Sequence, residues 1–86
     1  MSWAFLLSND AARSLRRMGA RDRDRINRAL NEMKGEPLSG DVVPLRGRYQ
    51  GSFRRRVGAW RILFTLDLEQ KMIEVHDIRR RTSTTY

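Results

Sequence analysis

The chain has 86 residues, with 18 lysine and arginine residues against 10 aspartate and glutamate residues, a formal net charge of +8. It contains no cysteine, which excludes disulfides and thiolate zinc sites, and its length predicts one domain over residues 1–86. The longest apolar run, residues 3–7, is too short to cross a bilayer, and we find no signal peptide, so a cytoplasmic location is expected.

The first predicted elements are a strand and two helices. Residues 2–7 are apolar and partly aromatic, which is typical of a strand. Residues 8–10 can each cap a helix, which continues with apolar residues at helical spacing and closes at Gly19. A second helix is predicted over residues 20–34, and its apolar stripe consists of Ile26, Ala29, Leu30 and Met33. The two helices form a hairpin whose apolar faces need a sheet to cover them.

Three more strands are predicted in the second half of the chain. Residues 41–51 are expected to form a loop from which Val43 and Leu45 reach the core. The predicted strands, joined by short turns, are residues 52–57, 60–66 and 72–78. In the last strand, Ile73 and Val75 are the expected core positions. The order β-α-α-β-β-β predicts an α+β fold: an N-terminal strand, a two-helix hairpin and a three-stranded antiparallel meander covered on one face by the helices.

The basic charge is concentrated in the second half. Residues 1–45 carry 8 basic and 6 acidic groups, a balance of +2, whereas residues 46–86 carry 10 basic and 4 acidic groups, a balance of +6. Sixteen of the 18 basic residues are arginine, whose planar guanidinium matches phosphate oxygens. The excess charge therefore indicates a polyanionic partner for the second half. For the helices, a GC-rich genome that encodes arginine in place of lysine is an equally good explanation.

Residues 53–61 are the most informative segment. In a strand, Arg54 and Arg56 share one face and Arg55 points to the other. A two-residue turn then returns the chain, so Arg61 is expected beside Arg56. Clustered guanidinium groups repel one another, so folding does not favour the cluster unless an anion such as nucleic-acid phosphate binds there. The alternative is a set of arginines spread over a solvated surface.

A second basic run, residues 79–81, ends the last predicted strand. Whether it reaches Arg61 depends on the register of the sheet, which the sequence does not fix. Tyr86 is close enough along the chain to fold back over the same face. The only histidine, His76, has no partner ligands nearby, and neither a metal-binding cluster nor a glycine-rich phosphate loop is found, so we predict no metal and no cofactor.

These motifs resemble the RelE/ParE superfamily of toxins from bacterial type II toxin–antitoxin systems. The specific part is the pattern Arg-x-Arg-Val-Gly-x-aromatic-Arg in residues 54–61. The other matching positions, spread over nearly the whole chain, are Phe5, Ala12 and Leu15, then Arg25-Ile26 with Ala29-Leu30, then Pro37 with Leu45-Arg46-Gly47, then Ile62-Leu63-Phe64, and finally residues 75–81. The resemblance implies the microbial-RNase-like RelE fold.

Resemblance to the RelE branch implies a ribosome-dependent mRNA endonuclease that cuts the message in the ribosomal A site and so inhibits translation. The implied reaction is metal-free attack of a 2′-hydroxyl on the adjacent phosphodiester. The resemblance implies catalytic roles for Arg61, for Arg80 or Arg81, and for Tyr86 as general base. The substrate-binding residues that we predict are Arg54, Arg56, Arg46 and Arg48.

The resemblance also implies partners: a cognate antitoxin, the ribosome with its mRNA, and operator DNA only indirectly, through the antitoxin. No membrane contact is expected. Two other functions stay open, a ParE-like inhibitor of DNA gyrase and an inactive toxin fold that only binds nucleic acid or an antitoxin, because one fold serves all three. The glutamate–histidine pair of YoeB-like nucleases is not found, so that variant mechanism is not expected.

Overall fold

The computed structural model describes residues 2–80. Within them lie the helices α1 (Asn9–Arg17) and α2 (Ala20–Gly35) and the strands β1 (Ala4–Leu7), β2 (Val42–Pro44), β3 (Phe53–Val57), β4 (Trp60–Asp67) and β5 (Met72–Arg80). The strands form a sheet of order β1-β5-β4-β3-β2, in which β1 is parallel to β5 and the other neighbours are antiparallel. The α+β arrangement is confirmed, but the predicted three-stranded meander is the centre of a five-stranded sheet.

Polar contacts fix both ends of α1. The Ser8 hydroxyl oxygen accepts the backbone N–H of Ala11 at 3.0 Å and so caps the first turn. At the other end, the Arg23 guanidinium of α2 donates to the carbonyls of Leu15 and Met18 at 3.0 and 2.8 Å. Because the last carbonyls of a helix lack helical partners and carry its negative dipole end, this arginine closes the hairpin. Neither helix within residues 2–80 is long and apolar enough to cross a membrane.

One face of the sheet packs against the two helices and forms the core. The buried side chains, each at most 5% exposed, are Ala11, Met18, Ile26, Ala29, Leu30 and Met33 from the helical hairpin and Ile62, Phe64, Ile73, Val75 and Ile78 from the sheet. The stripe predicted on the second helix and the two core positions predicted in the last strand are confirmed. We call this side of the sheet the covered face and the other side the open face.

The covered face also contains a buried arginine. Arg55 of β3 is 7% exposed, and its Nη2 lies 2.6 Å from the carboxylate oxygen Oε1 of Glu32 on α2. Its Nη1 donates to the Ala29 carbonyl at 3.4 Å. The prediction that Arg55 points away from its two arginine neighbours is confirmed. The side chain links β3 to α2.

Strand β2 lies where the sequence predicts a loop. It is three residues long, ends in a proline and forms an edge of the sheet, so its sequence pattern is weak. In its antiparallel pairing with β3, Val43 lies opposite Arg54. Val42 therefore packs against the core, whereas Val43 is 37% exposed. The prediction that Val43 reaches the core is wrong, because the register turns it to the open face.

A β-bulge in β5 decides which arginine reaches the open face. The pairing with β4 skips one residue, His76. As a result Val75 and Ile78 both face the core, although they are three residues apart. Arg79 then lies on the open face together with Asp77. Strand β5 also continues to residue 80, two residues beyond its predicted end.

Candidate nucleic-acid interface

Three arginines lie side by side across the open face. In the antiparallel register Arg56 of β3 is opposite Arg61 of β4, and Arg61 is opposite Arg79 of β5. Directly opposed residues in such a pair have Cβ atoms about 4.5–5.5 Å apart. The prediction that Arg61 lies beside Arg56 is confirmed. We call Arg56, Arg61 and Arg79 the arginine row.

The turn between β3 and β4 fixes this register. Gly58 has a φ of +58°, a conformation that residues with a side chain rarely adopt. A Cβ atom at this position would also lie 2.8 Å from Nη2 of Arg25 on α2. The Arg25 side chain can shift, so the positive φ is the reason for glycine here, and Gly58 of the sequence motif is explained by the turn that brings Arg56 opposite Arg61.

Two carboxylates hold three arginines of the open face. The Asp41 carboxylate lies 3.9 Å from Nη2 of Arg54 and 4.0 Å from Nε of Arg56. The Asp77 carboxylate accepts a hydrogen bond from Nε of Arg79 at 2.6 Å. This hydrogen bond is the main reason why the pKa of Arg79 is raised above its ordinary value. With Arg61, the open face presents four arginines, a concentration of positive charge on one side of the sheet.

The four cations differ in depth. Arg61, at the centre of the row, is 8% exposed, whereas the Arg56 and Arg79 side chains that flank it are 36% and 58% exposed. The Arg54 side chain is 14% exposed. A charge with little access to water interacts more strongly with a bound anion than a fully hydrated one does. Arg61 is the least exposed of the four, so this applies to it most.

The predicted catalytic residues are not all on this face. Arg80 lies opposite Trp60, on the side of the covered face, and its guanidinium is 5.9 Å from the centroid of the Trp60 ring. The bulge in β5 is the physical reason, since it brings Arg79 to the row instead. Arg81 and Tyr86 lie outside the described residues, and their roles stay predictions.

Arg46 and Arg48, two of the predicted substrate-binding residues, lie at a short 3₁₀ turn, Gly47–Tyr49. Arg46 precedes the turn and is exposed. Arg48 lies in the turn, with its guanidinium 6.0 Å from the centroid of the Tyr49 ring. Arg48 and Tyr49 line a pocket next to the arginine row, together with Leu45. The prediction that Leu45 reaches the core is wrong, because it faces this pocket instead.

The structure adds residues that the sequence reasoning did not assign to the site: Arg79 as a member of the row, Asp41, Asp77 and Tyr49. Of these, Asp77 and Arg79 have a sequence signal, their spacing, because residues two apart on a strand share a face. Asp41 has none, since it contacts β3 from a segment predicted to be a loop.

His76 lies away from the row. Its Nε2 is 2.8 Å from the Thr65 hydroxyl, which also donates to Glu74 at 3.1 Å. Thr65 is four residues beyond Arg61 on β4, so this cluster occupies the other end of the β4–β5 pair. Within residues 2–80, no three histidine, aspartate or glutamate side chains come together in a way that could hold a metal ion.

The architecture matches solved structures of toxins. The RelBE2 toxin–antitoxin complex from Mycobacterium tuberculosis aligns with a TM-score of 0.85 and 23% identity over 94% of this chain and 100% of the other. The RelE–RelB complex from the archaeon Pyrococcus horikoshii OT3 aligns with a TM-score of 0.84 and 19% identity over 98% and 100%. A YoeB/ParE toxin from Agrobacterium tumefaciens aligns with a TM-score of 0.79 and 21% identity over 92% and 99%.

No protein-family model and no curated protein sequence matches the chain. The likeness to the solved structures extends over nearly the full length of both chains in each comparison. The chain has the fold of RelE and ParE toxins.

Proposed function

We propose that this chain, which has the fold of RelE and ParE toxins, is the toxin of a type II toxin–antitoxin system and a ribosome-dependent mRNA endonuclease. The observation that carries the proposal is the arginine row, in which Arg56, Arg61 and Arg79 lie on neighbouring strands of the open face. Adjacent cations repel one another, whereas a phosphodiester with its non-bridging oxygens matches them.

The proposed reaction needs no group beyond RNA and protein. The ribose 2′-oxygen loses its proton and bonds to the adjacent phosphorus, and the bond from phosphorus to the 5′-oxygen of the next nucleotide breaks. The products are a 2′,3′-cyclic phosphate and a 5′-hydroxyl, which takes up a proton. The phosphorane between them carries more negative charge than the substrate, so fixed cations stabilise it more than the ground state and thereby speed the reaction.

The roles that we assign follow the geometry. Arg61 contacts the phosphate at the centre of the row, and Arg56 and Arg79 hold it from both sides. Because a guanidinium hardly ever gives up its proton, these roles are electrostatic. Asp77 is a positioning residue, since it fixes Arg79 through its Nε. Tyr86, outside the described residues, remains the proposed general base, since clustered arginines favour the phenolate of a nearby tyrosine.

The same surface suits the proposed partners. One aligned structure is the RelBE2 toxin–antitoxin complex, and another is a complex of RelE with RelB. By analogy, we expect a cognate antitoxin that brings acidic side chains to the open face, in a cytoplasm where ribosomes and mRNA are present. The chain's net charge of +8 favours such a partner as well as RNA. Contact with operator DNA would come through the antitoxin.

The direct test is to map cleavage by primer extension on translating ribosomes. We expect cuts within A-site codons with the wild-type protein. Arg61→Met should reduce the cleavage rate by about 100- to 1,000-fold, the range for loss of one preorganised donor to a developing anion. Methionine is chosen because Arg61 is 8% exposed, so the substitute must fill its volume.

Arg16→Met is the matched control, since Arg16 is exposed on α1 and its loss changes the net charge equally. It should cleave at the wild-type rate, and both variants should melt as cooperatively as the wild type. Intact message after incubation with wild-type protein contradicts the proposal. A supercoiling assay with DNA gyrase then examines the ParE-like alternative, for which the arginine row has no evident use.

A further inference from the structure

Beside the arginine row lies a pocket of about 410 Å³ that the proposed cleavage step does not use. Its apolar and aromatic lining consists of Leu45, Tyr49 and Leu63 of β4. Three arginines line it as well: Arg48, and Arg54 and Arg79 of the cationic surface already described. Sites for small organic groups are concave and mostly apolar, with a few polar groups at the rim and volumes of about 300–1,000 Å³.

The Tyr49 backbone is held by hydrogen bonds, whereas the residue is about half exposed to solvent. It is 51% exposed, although large aromatic rings are usually more buried. Its N–H donates to the Arg46 carbonyl at 3.4 Å, and its own carbonyl accepts the N–H of Ser52 at 2.9 Å, so both backbone groups are fixed within the turn. The Arg48 guanidinium lies over one face of the ring, 6.0 Å from its centroid, which leaves the other face for a stacked group.

The contents of the pocket define its ligand. An exposed aromatic ring in a pocket lined by two leucines fits a flat aromatic group. The arginines that line the same pocket favour a group attached to an anion. A nucleobase joined through its sugar to a phosphate meets both conditions. Because Arg54 and Arg79 line the pocket and lie on the same open face as the arginine row, base and phosphate can belong to the same stretch of RNA.

We propose that Leu45, Tyr49 and Leu63 form a nucleobase-binding subsite, in which one base of single-stranded RNA stacks on the Tyr49 ring next to the phosphate held by the arginine row. The inference rests on the proposed function for the class of its ligand. It adds a contact to the base, whereas the row contacts phosphate, which is the same in every nucleotide.

The test is binding of a short 2′-O-methyl RNA oligonucleotide, which has no free 2′-hydroxyl and cannot be cut, compared with an abasic oligonucleotide of the same length. Wild-type protein should bind the base-containing strand more tightly. Tyr49→Ala should weaken that binding by about tenfold, within the range for one base–aromatic stack, and leave the abasic strand unaffected. Tyr49→Phe should bind as the wild type does, because stacking needs the ring and not the hydroxyl.

Leu68→Ala is the control for loss of an exposed apolar side chain, since Leu68 is 72% exposed in the turn after β4. It should bind both strands as the wild type does. The subsite is disproved if Tyr49→Ala weakens both strands equally or neither, or if Tyr49→Phe is as weak as Tyr49→Ala. Thermal melting of each variant identifies any loss that comes from unfolding.

The two proposals fail in different experiments. The binding assay contains no ribosome, so base-dependent binding that requires Tyr49 supports the subsite even when no cleavage is seen. Conversely, wild-type cleavage on ribosomes together with Tyr49→Ala binding that is unchanged on both strands removes the subsite and leaves the nuclease intact. When the subsite is correct and the nuclease active, Tyr49→Ala should also change the distribution of cut codons.

Discussion

The two faces of the sheet treat arginine in opposite ways. On the covered face Arg55 is matched within the protein, by the Glu32 carboxylate at 2.6 Å and the Ala29 carbonyl. On the open face the Asp41 carboxylate lies as far as 3.9 and 4.0 Å from Arg54 and Arg56. Adjacent residues of one strand, Arg54 and Arg55, thus face opposite sides of the sheet. The guanidinium on the covered face is held by a short contact, whereas the ion pairs of Arg54 and Arg56 on the open face are long.

The largest expected effect is the difference in the free energy of unfolding between a substitution on the covered face and one on the open face. Phe64 is fully buried on the covered face, whereas its neighbour Leu63 is half-buried on the open face. Phe64→Ala should lower the free energy of unfolding by about 3–5 kcal/mol, because it leaves a cavity in the core. Leu63→Ala should cost about 1 kcal/mol, since water can occupy the vacated space. Urea denaturation measures both, and equal costs would mean that the open face is packed as a second core.

A smaller effect compares the carboxylates. Glu32→Ala removes the partner of a buried guanidinium and should cost about 1–3 kcal/mol, less than for a fully buried pair because the Glu32 side chain is 58% exposed. Asp41→Ala should change stability by less than about 1 kcal/mol, since its ion pairs are long and the side chain is 55% exposed.

In RNA binding the larger change is expected for Asp41→Ala, the reverse of the order expected for stability. Asp41→Ala removes a negative charge beside the arginines and should tighten binding of the 2′-O-methyl RNA, while Glu32→Ala should leave it unchanged as long as the protein is folded. Weaker binding by Asp41→Ala would indicate that Asp41 positions Arg54 and Arg56 more than it repels the ligand.

Local patterns predicted much of this arrangement. Helical spacing and the capping residues at 8–10 predicted both helices closely, and strand alternation predicted that Arg54, Arg56 and Arg61 share a face opposite Arg55. These features depend on residues close together in the chain. The β3–β4 pairing is local too, since the turn at residues 58–59 determines it.

The remainder depends on contacts between distant residues. Parallel pairing of β1 with β5 joins opposite ends of the chain, and the three-residue β2 exists only as an edge of β3. The bulge at His76 matters most for the site. Unbroken alternation from Val75 would turn Arg80 to the open face, whereas the extra residue turns Arg79 there instead. The Ser8 hydroxyl donates to the His76 carbonyl at 2.6 Å, a contact between residues 68 positions apart that no local pattern contains.

The smallest expected effect uses the two neighbouring arginines themselves. Arg54→Met and Arg55→Met each remove one positive charge from a chain of net charge +8, so their general attraction for RNA changes equally. They differ only in the face from which the charge is lost. Arg54→Met should reduce the slope of log affinity against log salt concentration by about 0.7, the contribution of one phosphate contact to a single strand. Arg55→Met should leave the slope at the wild-type value.

The slope distinguishes contact from attraction because counterions leave the RNA only where a phosphate is neutralised directly. Arg55→Met is a usable control, since methionine fills part of the buried volume and the Glu32 carboxylate left without its partner is 58% exposed to water; thermal melting checks that the variant is folded. Equal slopes for the two variants would mean that RNA responds to net charge alone and that the open face has no specific role. A smaller slope for Arg54→Met alone would assign the phosphate contact to one face of one strand, with its nearest neighbour in the chain as the internal reference.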